Sequence, residues 1–251
     1  MTPADSTQTF AGEVALVTGA GKRIGRAIAL ELARAGARII VHVNHSQAEG
    51  RETASEIESL GGAAAVIQAD QRDITAIKTA CDRAAEIFGP VSILINSAAI
   101  WPKVPLENIT EEDFDTALET NLRGPFFWAR HLGVAMKQRG RGCIVNLADV
   151  THDRPRVDCI PYEIAKAGVV SMTYGLAKAL APAVRVNCIA PGPIDFPVNY
   201  SSEAAGKDVR ATLLGRRGEG GNIAHAARFL CENDYITGAV LPVDGGYRFG
   251  I

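Results

Sequence analysis

The stretch V-A-L-V-T-G-A-G-K-R-I-G-R-A-I-A-L-E-L-A-R-A, residues 14–35, decides the fold class. It begins with a short apolar run rich in Val, which is typical of a buried strand. Glycines follow at Gly19, Gly21 and Gly25, and the residues after them have the apolar spacing of a helix. The stretch therefore predicts a strand, a glycine-rich turn and a helix.

The glycine-rich turn predicts a phosphate site. Glycines let the backbone approach a pyrophosphate closely, and the free N–H groups at the start of the following helix attract its negative charge. The spacing Gly19-x-Gly21-x-x-x-Gly25 is one residue longer than the dinucleotide fingerprint of open doubly wound sheets. Its position between a strand and a helix favours the same function. We expect a dinucleotide to contact Gly19, Gly21, Lys22, Arg23, Ile24 and Gly25.

The end of the second predicted strand, Arg38–Val43, indicates which dinucleotide is bound. NAD-binding sheets of this kind usually offer an acidic side chain to the ribose hydroxyl groups at this point. This chain instead continues with Asn44, His45 and Ser46 and has no acid before Glu49. Together with Lys22 and Arg23, this pattern predicts a pocket for a 2′-phosphate, and therefore NADPH/NADP. The alternative is that Lys22 is a solvated surface residue.

The rest of the chain alternates between strand and helix patterns. We expect strands at residues 64–69, 91–95, 143–147 and 184–189, and helices at residues 74–88, 113–136 and 162–180. This alternation predicts an α/β protein with a doubly wound parallel β-sheet of the Rossmann type and helices on both faces. No repeat or linker divides residues 11–251, so we expect a single domain, preceded by a flexible tail at residues 1–10.

Composition excludes several classes of protein. The chain has 251 residues, of which 47% are hydrophobic and 22% charged, as in globular proteins with a large core. The formal net charge is -2 and Lys and Arg form no stripe, so we expect no nucleic-acid partner. The five cysteines are scattered and the histidines do not cluster with them, so we expect reduced thiols and no metal site. No apolar run reaches membrane-spanning length and no signal peptide is recognisable, so we expect no membrane partner and a cytoplasmic location.

The segment D-V-T-H-D-R-P-R-V-D-C-I-P-Y-E-I-A-K, residues 149–166, carries the groups with the most chemistry. Tyr162 and Lys166 are four residues apart and share one face of the predicted helix. A nearby ammonium favours the phenolate, so a tyrosine that ordinarily titrates near about 10 can exchange a proton closer to neutral pH. Structural Tyr–Lys pairs have the same spacing, so the context must decide between the two interpretations.

That context is a set of ordered motifs. They are T-G-x-x-x-x-x-G at residues 18–25, N-S-A-A at residues 96–99, Asn121, Tyr162-x-x-x-Lys166, Pro191-Gly192, and V-D-G-G at residues 243–246. With these motifs the chain resembles the short-chain dehydrogenases/reductases over nearly its whole length. The resemblance implies that Tyr162 is the catalytic acid/base, that Lys166 lowers its pKa and holds the nicotinamide ribose, and that Asn121 supports a proton-relay water. It also implies a homotetramer, and further cofactor contacts from Asn44, His45, Ser46, Asp70, Gln71, Asn96, Ala98, Pro191, Gly192 and Ile194.

Three residues differ from those usual in the wider family and indicate a smaller group within it. Arg23 stands where a Gly or Ala is usual, Asp149 stands where a Ser is usual, and Trp101 is a large aromatic just beyond the N-S-A-A turn. With these residues the chain is similar to the pteridine reductases and the bacterial dihydromonapterin/dihydrofolate reductases. That resemblance implies an Asp149–Tyr162–Lys166 triad and substrate contacts from Arg23, Trp101, Asp149 and Tyr162. His45 replaces the Arg found in pteridine reductases, so 2′-phosphate binding should be weaker and pH-dependent.

The chemistry fits a small pterin-like substrate. Reduction of a C=N bond needs a proton at the ring nitrogen, which an Asp–Tyr pair can relay, and a flat ring stacks well on an indole. One alternative is an NADPH-dependent carbonyl reductase acting on a 3-oxoacyl thioester or a small ketone, which Asp149 argues against. Another is a non-catalytic NADP-binding protein in which Asp149 is a lost catalytic residue. Trp101 has the alternative role of a packing residue.

Overall fold

The computed structural model describes residues 9–196 and 200–250, and within them the strands form one parallel sheet of seven. The strand order is β3-β2-β1-β4-β5-β6-β7. The strands are β1 (Val14–Thr18), β2 (Arg38–Val43), β3 (Ala64–Gln68), β4 (Ile93–Asn96), β5 (Gly142–Leu147), β6 (Val184–Pro191) and β7 (Val240–Val243). The expected doubly wound parallel sheet is confirmed.

Helices cover both faces of this sheet. They are α1 (Arg23–Arg34), α2 (Gln47–Ser59), α3 (Ile74–Phe88), α4 (Glu111–Leu118), α5 (Gly124–Gln138), α6 (Ile160–Leu180), α7 (Ser202–Arg210) and α8 (Gly220–Glu232). Successive side chains of a strand point to opposite faces, so the strands contribute to two separate cores. Ala15 and Val17 belong to the core beneath α1 and α8, whereas Val14 and Leu16 belong to the core beneath α3 and α5.

The connections place the ends of β1 and β4 side by side. The chain runs outward from β1 to β3 and then returns to β4 on the other side of β1. At this switch point the loops after β1 and β4 diverge and leave a crevice at the carboxyl ends of the strands. The loops after β5 and β6 extend the same edge.

The helix expected at residues 113–136 is interrupted. A π-helical turn at Glu119–Arg123 separates α4 from α5, and Asn121 lies within it. Such turns widen a helix by one residue and are frequent at functional sites. A continuous apolar period does not reveal this insertion.

The folded part of the chain begins before residue 11, the expected start of the domain. Residues 1–8 of the predicted tail lie outside the described residues. Phe10, the last residue assigned to that tail, is buried in the core, and its N–H donates to the carbonyl of Ala35 at 2.8 Å. The tail prediction was therefore wrong for Phe10. None of the helices in the described residues is both long and apolar enough to cross a membrane.

Candidate active site

A cleft of about 690 Å³ opens at the carboxyl ends of the strands. It gathers residues from both halves of the sheet, as the switch point predicts. Nineteen of the twenty-one predicted site residues line it: Gly19, Gly21, Lys22, Arg23, Ile24, Gly25, Asn44, His45, Ser46, Asp70, Gln71, Ala98, Trp101, Asp149, Tyr162, Lys166, Pro191, Gly192 and Ile194. The side chains of Asn96 and Asn121 lie outside its lining.

The glycine-rich turn has the shape that a pyrophosphate requires. Gly19 has φ +67°, and a Cβ on it would lie 2.8 Å from the Cα of Ala98. A Cβ on Gly25 would lie 2.4 Å from the carbonyl oxygen of Gly19. Side chains at these positions would clash with the backbone around the turn. No side chain caps the start of α1. Its first N–H groups are therefore available for an anion, and the site fits the pyrophosphate of a dinucleotide.

The end of the cleft beside β2 contains a cation that would attract a phosphate and a carboxylate that competes for this cation. His45, Ser46 and Lys22 line it, as expected for a 2′-phosphate pocket. However, the ammonium of Lys22 is paired with the carboxylate of Glu49, and this contact lowers the pKa of Glu49. A 2′-phosphate would therefore compete with Glu49 for Lys22.

Asp70 is already held by a neighbouring cation. The guanidinium of Arg72 donates to both carboxylate oxygens of Asp70, at 2.9 and 3.1 Å to Oδ2 and 3.3 Å to Oδ1. Hydrogen bonding to Arg72 lowers the pKa of Asp70. Arg72 also lines the cleft and was not predicted from the sequence.

Arg23 adopts a strained backbone conformation at the mouth of the turn. Its φ is 50°, in the left-handed region, which costs a bulky residue about 1–2 kcal/mol. Its guanidinium donates to the carbonyl oxygen of Asp195, in the loop after β6. Arg23 therefore links the phosphate turn to that loop. Strain retained at such a position is a feature of binding sites.

Tyr162 and Asp149 are in direct contact, as the predicted triad requires. Tyr162 lies in the first turn of α6, and its hydroxyl donates to Oδ2 of Asp149 at 2.8 Å. Asp149 is fixed in turn because its Oδ1 accepts from the backbone N–H and the hydroxyl of Thr151, at 2.9 and 2.7 Å. Asp149 thereby caps a short 3₁₀ helix at Val150–Asp153.

In the protein alone, burial and Asp149 set the direction of the Tyr162 pKa shift, and the lowering expected from Lys166 does not prevail. Burial raises the pKa of Tyr162 well above its usual value, and the charge and hydrogen bond of Asp149 raise it further. The ammonium of Lys166 lies 5.6 Å from the centre of the tyrosine ring and donates to the carbonyl of Leu147 at 2.7 Å. Burial also lowers the pKa of Lys166. The sequence alone does not show that the carboxylate of Asp149 is bonded to the Tyr162 hydroxyl while the Lys166 cation lies farther away.

Asn96 and Asn121 lie behind the cleft and form hydrogen bonds with the segments around it. The amide of Asn96 donates to Oδ1 of Asn146 at 2.9 Å and to the carbonyl of Pro125 at 3.1 Å, and its expected cofactor contact stays a prediction. Oδ1 of Asn121 accepts from the N–H of Ile100 at 2.9 Å, which fixes the loop after β4. Nδ2 of Asn121 is buried without a hydrogen-bond partner in the described residues. Its part in a proton relay stays a prediction.

The outer end of the cleft is a cluster of aromatic and cationic side chains. The ring of Trp101 lies 6.4 Å from that of Tyr162 and 5.6 Å from that of Tyr200. The ammonium of Lys103 lies 4.6 Å from the indole centre and the guanidinium of Arg156 lies 5.5 Å from it. Trp101 thus stands next to Tyr162 and beside two cations, of which Lys103 pairs with Asp158 and Arg156 with Asp158 and Asp208.

Several residues of the site were missed in the sequence. Thr151, Arg156 and Glu163 lie within residues 149–166 and line the cleft, yet only their neighbours were singled out. A hydroxyl residue two positions after an Asp is a capping signal that could have identified Thr151. The contact between Tyr200 and Trp101 has no sequence signal, because it depends on the path of the loop after β6.

Comparison with known proteins agrees with this architecture. A family model described as "Enoyl-(Acyl carrier protein) reductase" matches residues 19–248. An NADPH-dependent aldehyde reductase-like protein of Arabidopsis thaliana, named chloroplastic, is 34% identical over 95% of each chain. A short chain dehydrogenase/reductase of Aspergillus aculeatus is 34% identical over 98% of this chain and 99% of the relative. The solved structure of a blue fluorescent protein from a metagenomic library, in complex with NADPH, is 34% identical with a TM-score of 0.90, covering 96% of this chain and 99% of the other. The chain therefore belongs to the short-chain dehydrogenase/reductase family of oxidoreductases.

Proposed function

We propose that this oxidoreductase reduces a C=N bond in a pterin or dihydropterin, dihydrofolate included, with NADPH. The observation that carries the proposal is the hydrogen bond of 2.8 Å from the Tyr162 hydroxyl to the carboxyl group of Asp149. Tyr162 would protonate the ring nitrogen, and Asp149 would hold and resupply that proton. A carboxylate in the usual Ser position cannot donate a hydrogen bond to a carbonyl oxygen, whereas it can take part in a proton relay.

The cofactor assignment is supported by the cleft and by the relatives. The uncapped start of α1 fits a pyrophosphate, and Lys22, His45 and Ser46 lie where a 2′-phosphate would bind. The Arabidopsis relative is named as NADPH-dependent, and the structure of the blue fluorescent protein contains NADPH. NADPH supplies the hydride when it is bound. The residues of the chain orient the substrate and provide the proton.

The aromatic end of the cleft suits a flat heteroaromatic ring. Trp101 lies beside Tyr162, so a ring stacked on the indole would present its edge to the phenol. Lys103 and Arg156 lie beside the indole and could bind an acidic tail such as the glutamate of a folate, which would compete with Asp158 and Asp208 for them. Arg23, in the phosphate turn, lines the same cleft as Trp101 and Tyr162.

Reduction of a carbonyl group is the second candidate. The relatives favour it, since the Arabidopsis protein is named as an aldehyde reductase-like protein. The test is NADPH oxidation by the wild-type protein with a dihydropterin, dihydrofolate and an acetoacetyl thioester side by side. Turnover of a dihydropterin or of dihydrofolate well above that of the thioester supports the proposal. The opposite order supports the carbonyl reductase, and turnover of any substrate excludes a non-catalytic binding protein.

The expected homotetramer and cytoplasmic location remain proposals. Exposed apolar side chains on α4, α5 and α6 support the tetramer, and they include Phe114, Phe126, Ile164 and Tyr174. Sedimentation of the purified protein would measure the state directly.

A further inference from the structure

Glu163 is a buried carboxylic side chain beside the catalytic tyrosine. Only 3% of the residue is exposed, although it borders the cleft. Its Oε2 lies 2.7 Å from the hydroxyl of Thr151, and the same hydroxyl lies 2.7 Å from Oδ1 of Asp149. One hydroxyl group thus connects the carboxyl groups of Glu163 and Asp149.

The number of protons in this chain of contacts can be counted. Three oxygen–oxygen contacts of hydrogen-bond length connect Tyr162, Asp149, Thr151 and Glu163 in that order. Each contact needs one proton, and the hydroxyl groups of Tyr162 and Thr151 supply two of them. If both carboxyl groups were ionised, one of the contacts of Thr151 would bring two lone pairs together at 2.7 Å. The third proton must therefore lie on Glu163 or Asp149.

The surroundings of Glu163 favour its neutral form. Burial raises the pKa of Glu163, and the charge of Asp149 raises it further. The thiol of Cys159 and the backbone N–H of Arg156 each donate to Oε1 at 3.4 Å, and these two long hydrogen bonds lower the pKa of Glu163 by less than burial raises it. Lys166 also faces this group from α6, but its ammonium donates to the carbonyl of Leu147. The resting arrangement is therefore a neutral Glu163 that donates to Thr151, which in turn donates to an ionised Asp149.

We propose that Glu163 and Asp149 share one proton through the hydroxyl of Thr151, and that this proton shifts to Asp149 as Tyr162 donates its own to the substrate. The inference rests on the proposed role of Tyr162 as the proton donor. It resolves a difficulty of the site, because a phenolate formed beside an ionised Asp149 would be repelled by it. Glu163 acts on Tyr162 through Thr151 and Asp149. It is therefore a positioning residue and not a catalytic one.

Three protons move in this transfer. The proton of Tyr162 goes to the substrate, the proton of Thr151 goes to Oδ1 of Asp149, and the proton of Glu163 goes to the oxygen of Thr151. Asp149 becomes neutral as the phenolate forms, and the negative charge moves to Glu163. A proton from solvent restores the resting state, and no oxidant or reductant takes part.

Infrared spectroscopy tests the shared proton without any substrate. The wild-type protein at neutral pH should show the C=O band of a protonated carboxylic acid, and Glu163→Gln should remove it. Glu86→Gln, at an exposed position on α3, should leave it unchanged. Thr151→Val keeps both carboxyl groups but removes the bridging hydroxyl, so the band should remain at a higher frequency. A wild-type spectrum without the band, a band that survives Glu163→Gln, or a band whose frequency is the same in Thr151→Val as in the wild-type protein would each overturn the proposal.

Kinetics then tests whether the shared proton serves the reaction. The amide of Glu163→Gln can still donate to Thr151, so the hydrogen bonds remain while the transferable proton is lost. We expect kcat to fall about tenfold or more with KM nearly unchanged. The loss of activity that we expect for the wild-type protein as the pH rises and Glu163 loses its proton should be absent from the variant. The substrate is whichever compound the wild-type protein reduces best, so failure of the pterin proposal leaves this comparison intact. A variant with the wild-type kcat and pH profile would contradict the inference.

Discussion

Replacement of Asp149 by Ala separates two roles that its geometry allows. Asp149 caps the 3₁₀ helix at Val150–Asp153 and also accepts from the hydroxyl of Tyr162. If it only caps the helix, its loss would leave catalysis intact. Indeed, loss of its charge should lower the pKa of Tyr162 and make the phenol easier to ionise, because Asp149 is one of the causes that raise it. If Asp149 relays a proton, its loss slows turnover.

The structure sets the expected magnitudes. Asp149→Ala removes a capping side chain, which costs about 1 kcal/mol of stability, and leaves the buried hydroxyl of Tyr162 without its acceptor, which costs about 1–3 kcal/mol more. The loss of a positioned acid or base should lower kcat about 100-fold or more, and Tyr162→Phe should cost at least as much. Because the two residues act as one relay, the double variant should be little worse than the poorer single variant.

NADPH oxidation with a saturating dihydropterin measures kcat, and urea unfolding of the same preparations measures the loss of stability. Calorimetric titration with NADPH checks that the variants retain the cofactor site. An Asp149→Ala variant that binds NADPH and keeps kcat within about threefold of the wild-type value would refute the relay, since a relay group is worth at least about 100-fold.

Three further predictions concern the ends of the cleft. Trp101→Ala should weaken pterin binding by about 1–3 kcal/mol with NADPH affinity nearly unchanged, and an unchanged KM for every pterin would make Trp101 a packing residue. NADPH should bind at least about tenfold better than NADH, since one charge-assisted phosphate contact contributes about 1.5–3 kcal/mol. Glu49→Gln, which frees Lys22, should widen that difference, and equal dissociation constants by calorimetry would reject the phosphate pocket. Arg23→Gly relieves a positive φ, so urea unfolding should show no loss of stability while calorimetry shows weaker NADPH binding; a clear loss of stability would make the contact of Arg23 with Asp195 structural.

Much of the fold follows from local sequence patterns. The bounds of β2 and α3 match the predicted segments, because β-branched runs and a 3.6-residue apolar period are local signals. The site residues could be grouped because parallel strands bring their carboxyl ends to one edge of the sheet. The π-helical turn around Asn121 could not be seen, because inserting one residue hardly changes the apolar period.

The electrostatics of the site depended on three-dimensional contacts. The spacing of Tyr162 and Lys166 suggested a lowered tyrosine pKa, but burial and the hydrogen bond to Asp149 act in the opposite direction. Lys22 looked free to bind a phosphate, but Glu49 on the first turn of α2 pairs with it. Asn96 resembled a cofactor ligand, but its amide turns into the sheet toward Asn146. Tertiary packing determines the hydrogen-bond partner of a polar side chain. Local sequence patterns do not reveal that partner.

The most direct test of the central claim is the substrate preference of the wild-type protein compared with that of Asp149→Ser. The measurement is kcat/KM for a dihydropterin divided by kcat/KM for an acetoacetyl thioester, with NADPH in both assays. If Asp149 and Tyr162 relay a proton to a ring nitrogen, the wild-type ratio should favour the dihydropterin. Asp149→Ser, which restores the residue usual in the wider family, should depress pterin reduction while NADPH binding persists. A wild-type ratio that favours the thioester, or an Asp149→Ser variant with intact pterin turnover, would contradict the proton relay and favour the carbonyl reductase.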